Sequence, residues 1–469
     1  MSQATAQIMT NNTIVSTNPA KGYECLGEVD ATTEPKIKQI VADARQAQTE
    51  WYALGLDARI DHIRALGNHL EKHKDEFIKR TCQEMGMPLE LSTGIVEGGL
   101  SDLKWNCDNA QKYLSNNVIF EDDNEVNEVI YEPCGVMACI VAWNFPFGNL
   151  IASASQALLA GNTVVMKYSE EVPLFSKYLE EVIASSDLPK SVMSFVYGDG
   201  QVGALLSNQD VDFLSFTGSS ATGEKIYKTA AEKFIPAALE LGGSSPGIVF
   251  EDCPITDELI DTLFWERFLN TAQFCNGMKR LFVHNNKFDE VVEKLSAYAK
   301  TKIIGNPLDE KTELGPLVAE RQVVKLEGQV KDALDKGAKI HCGGKRPDGL
   351  NGAFYEPTIF TNVTKDMKLW TEEVFGPALP IFGFDTYDEA IALANETEYG
   401  LSAIIFTTNK DITQKALSDL RAGTVNQWPS NTYRPQNPFG GYKKSGLGRQ
   451  MGEDGFRDIT QSKATSWMK

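Results

Sequence analysis

The sequence predicts an α/β protein with two doubly wound, Rossmann-like domains and a small β-hairpin. Short apolar or β-branched runs alternate with helical patterns over residues 136–216, and the alternation returns after residue 243. This pattern is typical of parallel strands joined by helices. The length of 469 residues, with 42% hydrophobic content, is sufficient for about two or three domains.

The first part of the chain is predicted to be scaffold. Short strands are expected over residues 13–29, and amphipathic helices over 35–53 and 58–85, where apolar side chains recur at i, i+3 and i+4. A further helix is predicted near 94–114. Residues 117–133 alternate polar and apolar side chains around an Asp-Asp-Asn turn, which indicates a hairpin.

The parallel sheets are predicted from the segments that follow. The expected strands of the first sheet, with one helix between them, are 136–142, 163–167, 194–197 and 213–216, the helix being 174–185. The expected helices of the second region are 288–302, 318–336 and 387–395. Sheets of this kind bind ligands beyond the carboxyl ends of their strands.

Composition excludes several classes of function. The formal charge is −19, from 45 Lys and Arg against 64 Asp and Glu, and no basic cluster interrupts it. We therefore expect neither nucleic acid nor an anionic membrane surface as a partner. The eight cysteines form no CxxC pair and the five histidines no HExxH motif, so we predict reduced thiols and no metal site.

The longest uncharged window, residues 133–166, has the length of a membrane span. Pro146, Gly148 and several polar residues interrupt it, so we interpret it as a strand, a loop and a helix inside an α/β domain. The first twenty residues lack the apolar core of a signal peptide, which predicts a cytoplasmic location.

Cys275 is the candidate nucleophile. It stands among small and polar residues, with the cationic pair Lys279 and Arg280 just beyond it. Nearby positive charge favours the thiolate, which is the reactive form of cysteine. The alternative is a small, buried and inert side chain, which is the commoner fate of a cysteine.

Three other segments favour the nucleophile. They are Ala-Trp-Asn-Phe-Pro-Phe-Gly at 142–148, Leu-Glu-Leu-Gly-Gly-Ser-Ser-Pro at 239–246 and Glu-Glu-Val-Phe-Gly-Pro at 372–377. In order and spacing, over nearly the whole chain, these segments and Cys275 resemble the four signature segments of the aldehyde dehydrogenase superfamily. The run through Lys279-Arg280 and the Leu-Gly-Gly-Ser-Ser-Pro segment look most like the bacterial succinate-semialdehyde branch.

The resemblance implies an aldehyde dehydrogenase-like organisation. Residues 1–116 and 135–242 would form a discontinuous NAD-binding domain, and 243–437 the catalytic domain with Cys275. Residues 117–134 and 455–469 would join subunits, so a homodimer or homotetramer is expected.

The resemblance also implies the chemistry. A thiolate adds to an aldehyde to give a thiohemiacetal, hydride leaves to the nicotinamide, and water cleaves the resulting thioester. Cys275 is the expected nucleophile, and Glu240 the expected base, with a pKa raised by partial burial. Asn144 and the backbone N–H of Cys275 are the expected donors to the oxyanion. Ala272 stands where the family usually has glycine, which concerns the geometry and not the reaction.

For the cofactor, Lys167 and Glu170 follow a strand and are expected to reach the adenosine ribose. A carboxylate there would repel a 2′-phosphate, so NAD is predicted, with NADP as the alternative. Gly198-x-Gly200-x-x-Gly203 fits a dinucleotide pattern, but residues 216–219, ahead of a helix, are the stronger candidate for the pyrophosphate. The expected cofactor residues are Trp143, Lys167, Glu170, Gly200, Phe216, Gly218, Ser219, Leu241, Glu373 and Phe375.

The substrate is the least determined part. The expected contacts are Trp105, Phe147, Phe274, Asn276, Trp428, Tyr433 and Arg434, with core packing as the alternative for Trp105. The nominal substrate is succinate semialdehyde. Because Leu269 and Ala152 stand where another branch has arginines, Arg434 or Arg267 would have to bind its carboxylate. Another aldehyde, such as betaine aldehyde, lactaldehyde, or an aliphatic or aromatic aldehyde, and a CoA-acylating reaction remain open.

Overall fold

The structure is a computed structural model that describes residues 9–10 and 12–469. The first eight residues of the predicted NAD-binding domain, and Asn11, lie outside the described residues. The strands, in chain order, are β1 Met9–Thr10, β2 Thr13–Asn18, β3 Glu24–Asp30, β4 Asn117–Glu121, β5 Glu125–Pro133, β6 Val136–Val141, β7 Thr163–Tyr168, β8 Met193–Val196, β9 Phe213–Thr217, β10 Ala237–Glu240, β11 Ser245–Val249, β12 Met278–His284, β13 Lys339–Cys342, β14 Thr358–Thr361, β15 Ala378–Phe384, β16 Ser402–Phe406, β17 Thr424–Gln427, β18 Gly446–Leu447 and β19 Thr460–Met468. The α-helices are α1 Glu34–Ala53, α2 Leu56–Glu71, α3 Lys74–Arg80, α4 Leu89–Leu114, α5 Pro146–Leu150, α6 Gln156–Ala160, α7 Pro173–Ala184, α8 Gly200–Ser207, α9 Ser220–Lys233, α10 Asp257–Phe268, α11 Asn285–Ala299, α12 Glu320–Asp335, α13 Lys368–Thr371, α14 Tyr387–Asn395, α15 Lys410–Asp419 and α16 Gly452–Asp458.

The first large sheet has the order β18-β10-β9-β6-β7-β8. β6 to β10 run parallel, and the short β18 adds an antiparallel edge. β6 and β7 are buried along their whole length, because helices cover both faces of the sheet. The predicted doubly wound sheet is confirmed.

The second large sheet has the order β13-β14-β15-β12-β11-β16-β17, parallel except for the edge strand β13. α10 and α11 pack on one face, and α14 and α15 on the other. β10 of the first sheet leads through Gly242-Gly243 into β11 of the second. The carboxyl ends of the first sheet therefore face the loops that precede β11 and β12.

A third, antiparallel sheet is formed by β4, β5 and β19. The hairpin predicted at residues 117–133 is present, and β19 pairs with β5 from Thr460 opposite Pro133 to Met468 opposite Glu125. Large apolar side chains stay exposed on this sheet at Val118, Ile119, Phe120, Trp467 and Met468.

The predicted helix over residues 58–85 is wrong as a single element. It is divided into α2, α3 and a π-helical turn at Thr81–Met85. The break falls at His73, which leaves helical geometry with φ −109° and ψ 7°. Its ring bonds to the hydroxyl of Tyr178 on α7, at 2.8 Å, a tertiary contact that the local pattern does not carry.

Residues 133–166, the longest uncharged window, form a strand, a loop and a helix in the predicted order. β6 is followed by α5, a π-helical turn at Ile151–Ser155, and α6. No helix within the described residues combines the length and apolar character that a bilayer crossing requires.

Candidate active site

A cavity of about 920 Å³ lies between the two large sheets. One wall is formed by residues that follow β6, β9 and β10, and the other by the loop before β12. Asn144, Glu240 and Cys275, predicted from three separate segments, all line it.

The loop that carries Cys275 is held in an unusual backbone shape. Asn270, Thr271 and Ala272 have φ of 50°, 53° and 62°, a left-handed region that non-glycine residues enter at a cost. The buried side chain of Gln273 fastens the loop. Its Nε2 donates to the carbonyls of Asn270 and Pro316, at 3.1 and 3.2 Å, and its Oε1 accepts from the N–H of Val318, at 2.9 Å.

Asn144 is buried against this loop. Its Nδ2 donates to the backbone carbonyl of Gln273 at 3.0 Å, and its backbone carbonyl accepts from Asn270 Nδ2 at 3.0 Å. The side-chain amide of Asn144 has two N–H groups, and one of them is therefore occupied. The other is available to an oxygen in the cavity.

Glu240 ends β10, and its carboxylate is buried. Within the described residues neither carboxylate oxygen has a hydrogen-bond partner. Burial raises the pKa of Glu240 well above its usual range, Arg449 opposes this, and Asp458 adds to it. A carboxylate in this setting is a stronger base than an exposed one.

Of the predicted cationic pair, only Lys279 acts near Cys275. The pKa of the Cys275 thiol is raised to about 11, because the raising effect of burial outweighs the lowering effect of Lys279. Arg280 lies on the far side of β12, where its guanidinium donates to the carbonyls of Ser244 and Ala394. The expectation that both cations flank the thiol is therefore corrected.

Lys167 on β7 and Glu170 just beyond it, the residues expected at the adenosine ribose, lie outside the cavity lining. The buried ammonium of Lys167 lies 3.8 Å from a Glu170 carboxylate oxygen, longer than a direct hydrogen bond. Burial lowers the pKa of Lys167. Arg321 of α12 approaches Glu170 to 3.6 Å and also pairs with Glu171. Gly200 begins α8, capped by Asp199, and is outside the cavity lining.

The pyrophosphate candidate lies at the start of α9. Thr217, Gly218 and Ser219 line the cavity there, while Phe216 packs beneath them. A Cβ on Gly218 would come within 2.5 Å of the Phe216 ring, so the backbone itself faces the cavity. An open backbone at a helix N-terminus fits a phosphate group, so these residues fit a dinucleotide.

Trp143, Leu241, Glu373 and Phe375 also line the cavity. Trp143 packs edge-on against Phe375, with ring centroids 5.6 Å apart. The sequence reasoning missed Gln322 and Lys325 of α12 and Asp102 and Glu266 on the cavity walls. Single polar residues on amphipathic helices carry no motif, so no local pattern could have selected them.

Among the expected substrate residues, Phe274, Asn276, Tyr433 and Arg434 line the cavity. The other three do not and are corrections. Phe147 is buried against Phe77, with ring centroids 5.3 Å apart, and the half-buried Trp105 packs against Tyr113 at the margin of the core. Trp428 donates from Nε1 to Thr262, itself a lining residue, at 3.1 Å and stands behind it.

The other expected cation, Arg267, is also unavailable. It is fully buried, and its guanidinium donates to the carbonyls of Ala378, Val374 and Gly376. Within the described part of the chain no cluster of His, Cys, Asp and Glu has the arrangement of a metal site.

Fold and site together define an oxidoreductase with a cysteine beside a dinucleotide cleft. The chain belongs to the aldehyde dehydrogenase family, whose pattern it matches over residues 7–465. It is 36% identical to peroxisomal aminoaldehyde dehydrogenase 1 of Pisum sativum, over 97% of this chain and 92% of that protein.

Solved structures show the same relationship. Betaine aldehyde dehydrogenase of Staphylococcus aureus, in complex with NAD+, is 32% identical with a TM-score of 0.93, over 97% of this chain and 91% of that one. Lactaldehyde dehydrogenase of Escherichia coli is 30% identical with a TM-score of 0.93, over 98% and 96%. These names concern other aldehydes than succinate semialdehyde, so the comparisons support the family and not the predicted branch.

Proposed function

We propose that this aldehyde dehydrogenase oxidises its substrate to a carboxylate with Cys275 as nucleophile, Glu240 as base and Asn144 as oxyanion donor. The observation that carries the proposal is their convergence on one cavity, where neither oxygen of the buried Glu240 has a hydrogen-bond partner among the described residues. A carboxylate buried without a partner is costly, and catalytic sites are where such groups are retained.

Cys275 loses its thiol proton to solvent water, and its sulfur adds to the carbonyl carbon. The carbonyl oxygen becomes an oxyanion, which the second N–H of Asn144 and the backbone N–H of Cys275 stabilise. When bound, a nicotinamide would supply the acceptor for the hydride that leaves this carbon. Cys275 is then left as a thioester. Glu240 takes a proton from water, the hydroxide oxygen attacks the thioester carbon, and the thiolate leaves.

For the cofactor we propose NAD in preference to NADP. Glu170 would accept hydrogen bonds from the ribose hydroxyls and repel a 2′-phosphate. Lys167 and Arg321 temper this repulsion, because each places a cation within 4 Å of that carboxylate. We therefore expect NAD to be preferred while NADP is still used.

For the substrate we propose a cationic or neutral aldehyde ahead of succinate semialdehyde. Within the described residues, the carboxylates of Asp102 on α4 and Glu266 on α10 line the cavity without a hydrogen-bond or ion-pair partner. Burial raises the pKa of Asp102 to about 6, so it stays ionised near neutral pH. Arg434 is exposed in the same lining, where solvent screens its charge more than it screens the partly buried carboxylates.

Three aldehydes of different charge test this. Betaine aldehyde carries a trimethylammonium group, 3,3-dimethylbutanal is its neutral isostere, and succinate semialdehyde is the anion. We expect kcat/KM for NADH formation to be about tenfold higher for the cation than for its isostere. Asp102→Asn should reduce the rate with the cation alone. Preference for succinate semialdehyde would contradict the substrate class, and turnover that requires CoA would contradict hydrolysis by Glu240.

We also propose the domain division of the sequence analysis, with the sheet of β4, β5 and β19 as the subunit contact. The exposed apolar side chains on this sheet support the proposal. A homo-oligomer and a cytoplasmic location stay predictions.

A further inference from the structure

Lys279 is a buried cation whose contacts bridge two parts of the site. It lies at the start of β12, and its side chain is 1% exposed. Its Nζ donates to the carbonyl oxygen of Cys275 at 2.6 Å and to Glu373 Oε1 at 2.8 Å. The ring of Phe375 lies 5.5 Å away. A buried ammonium needs such partners, and here they are the backbone of the nucleophile and a carboxylate of the cleft.

Glu373 in turn is fixed by a second donor. Its Oε1 also accepts from the backbone N–H of Gly243, at 3.0 Å. The carboxylate thus ties the turn between β10 and β11 to the Cys275 loop through Lys279. The position of the ammonium relative to the thiol is therefore set at both ends.

The other charges around the thiol do not supply this stabilisation. Glu240 and Glu373 both disfavour the thiolate, and Tyr433 is uncharged at neutral pH. The guanidinium of Arg267, whose charge lowers the pKa of Lys279, is bound to the backbone carbonyls of Val374, Gly376 and Ala378. The remaining support for the thiolate is a hydrogen bond from the backbone N–H of Asn276.

We propose that Lys279 is the positioning residue that makes Cys275 reactive: its charge stabilises the thiolate, and Glu373 holds that charge in place. The thiol proton goes to solvent water. The inference rests on the proposed role of Cys275 as nucleophile. It predicts that Lys279 and Glu373 shift the pKa of Cys275 in opposite directions, because Lys279 attracts the thiolate whereas Glu373 repels it.

Alkylation of the cofactor-free protein tests this. Iodoacetamide is applied between pH 6 and 10, and modification of Cys275 is resolved from the other cysteines by peptide mass spectrometry. We expect Lys279→Met to move the pH profile of Cys275 upward and to slow alkylation at pH 8 about tenfold. Lys279→Arg should retain most of the rate. Glu373→Gln should move the profile downward, because the amide oxygen can still accept from Lys279 Nζ whereas the charge that repels the thiolate is lost.

An unmoved profile in Lys279→Met would overturn the inference, as would slowing in both Lys279→Met and Glu373→Gln, since that pattern indicates lost loop structure. If Lys279→Met does not fold, the Glu373→Gln profile decides the inference: a downward shift supports it, and an upward or absent shift overturns it. Failure of the proposed function is distinguishable, because NADH formation would then survive Cys275→Ala, whatever the alkylation profile shows.

Discussion

The carboxylate of Glu240 and the side chain of Arg449 flank the same glycine, and among the described residues the carboxylate accepts no hydrogen bond. A Cβ on Gly440 would lie 2.8 Å from Arg449 Cδ and 2.9 Å from Glu240 Oε1. Arg449 Nη1 donates instead to the carbonyls of Gly441 and Gly448. Arg449 therefore influences Glu240 through its charge alone.

The pH dependence of deacylation should follow from this pair. Arg449 lowers the pKa of Glu240 against the raising effect of burial, so Arg449→Met should raise that pKa further. Less Glu240 is then ionised at a given pH, and the rising limb of kcat against pH should move to higher pH. Lys444→Met, at an exposed pair with Glu398, is the control and should leave the limb in place. A limb displaced to lower pH would contradict the assignment.

Glu240→Gln should separate the two halves of the reaction. The amide cannot take a proton from water, but Cys275 can still form the thioester. We expect one NADH per active site in a rapid burst at 340 nm, followed by turnover at least about 100-fold slower. Absence of both burst and turnover would place Glu240 in thiol activation instead.

Gln273→Ala should loosen the nucleophile loop. The change removes three buried hydrogen bonds and leaves the N–H of Val318 without an acceptor, so we expect a loss of about 2–4 kcal/mol in the free energy of unfolding. Gln209→Ala removes one bond to a neighbouring turn of helix and should cost about 0.5 kcal/mol or less. Urea denaturation measures both. Equal losses in the two variants would show that the loop is not held by Gln273.

Glu170→Gln should weaken NAD binding about tenfold, since an amide is a poorer acceptor than a carboxylate for ribose hydroxyls. NADP binding should weaken less or improve, so the ratio of the two affinities narrows. Titration calorimetry measures both constants, with the exposed Glu224→Gln as control. Unchanged NAD affinity would remove Glu170 from the ribose site.

The exposed apolar surface of β4 should matter for assembly. Ile119 is 63% exposed, and Ile119→Lys places a charge in the proposed subunit contact. We expect a lower mass by light scattering coupled to size-exclusion chromatography. Val324 is 55% exposed on α12, and Val324→Lys is the matched control. Loss of assembly in the control alone would place the interface on α12.

Several strands, helices and motif positions were readable from the sequence because they depend on neighbouring residues. The apolar runs of β6, β7 and β9 and the period of α14 are local properties, and the structure confirms them within a few residues. The roles suggested for Cys275, Glu240 and Asn144 came from motifs in the same way.

The surroundings of these site residues were decided by contacts between segments that are distant in the sequence. No local pattern shows that Arg280 bonds to Ser244 while Lys279 bonds to Glu373, or that Trp428 bonds to Thr262 and not to the cavity itself. The carboxylates of Asp102 and Glu266 likewise line one cavity only because α4 and α10 meet there. The sequence by itself determined the fold class and supplied the proposed reacting groups, since periodicity and motifs are short-range. The tertiary structure decided which charges face the thiol and the substrate, because desolvation and Coulomb interactions depend on distances through space.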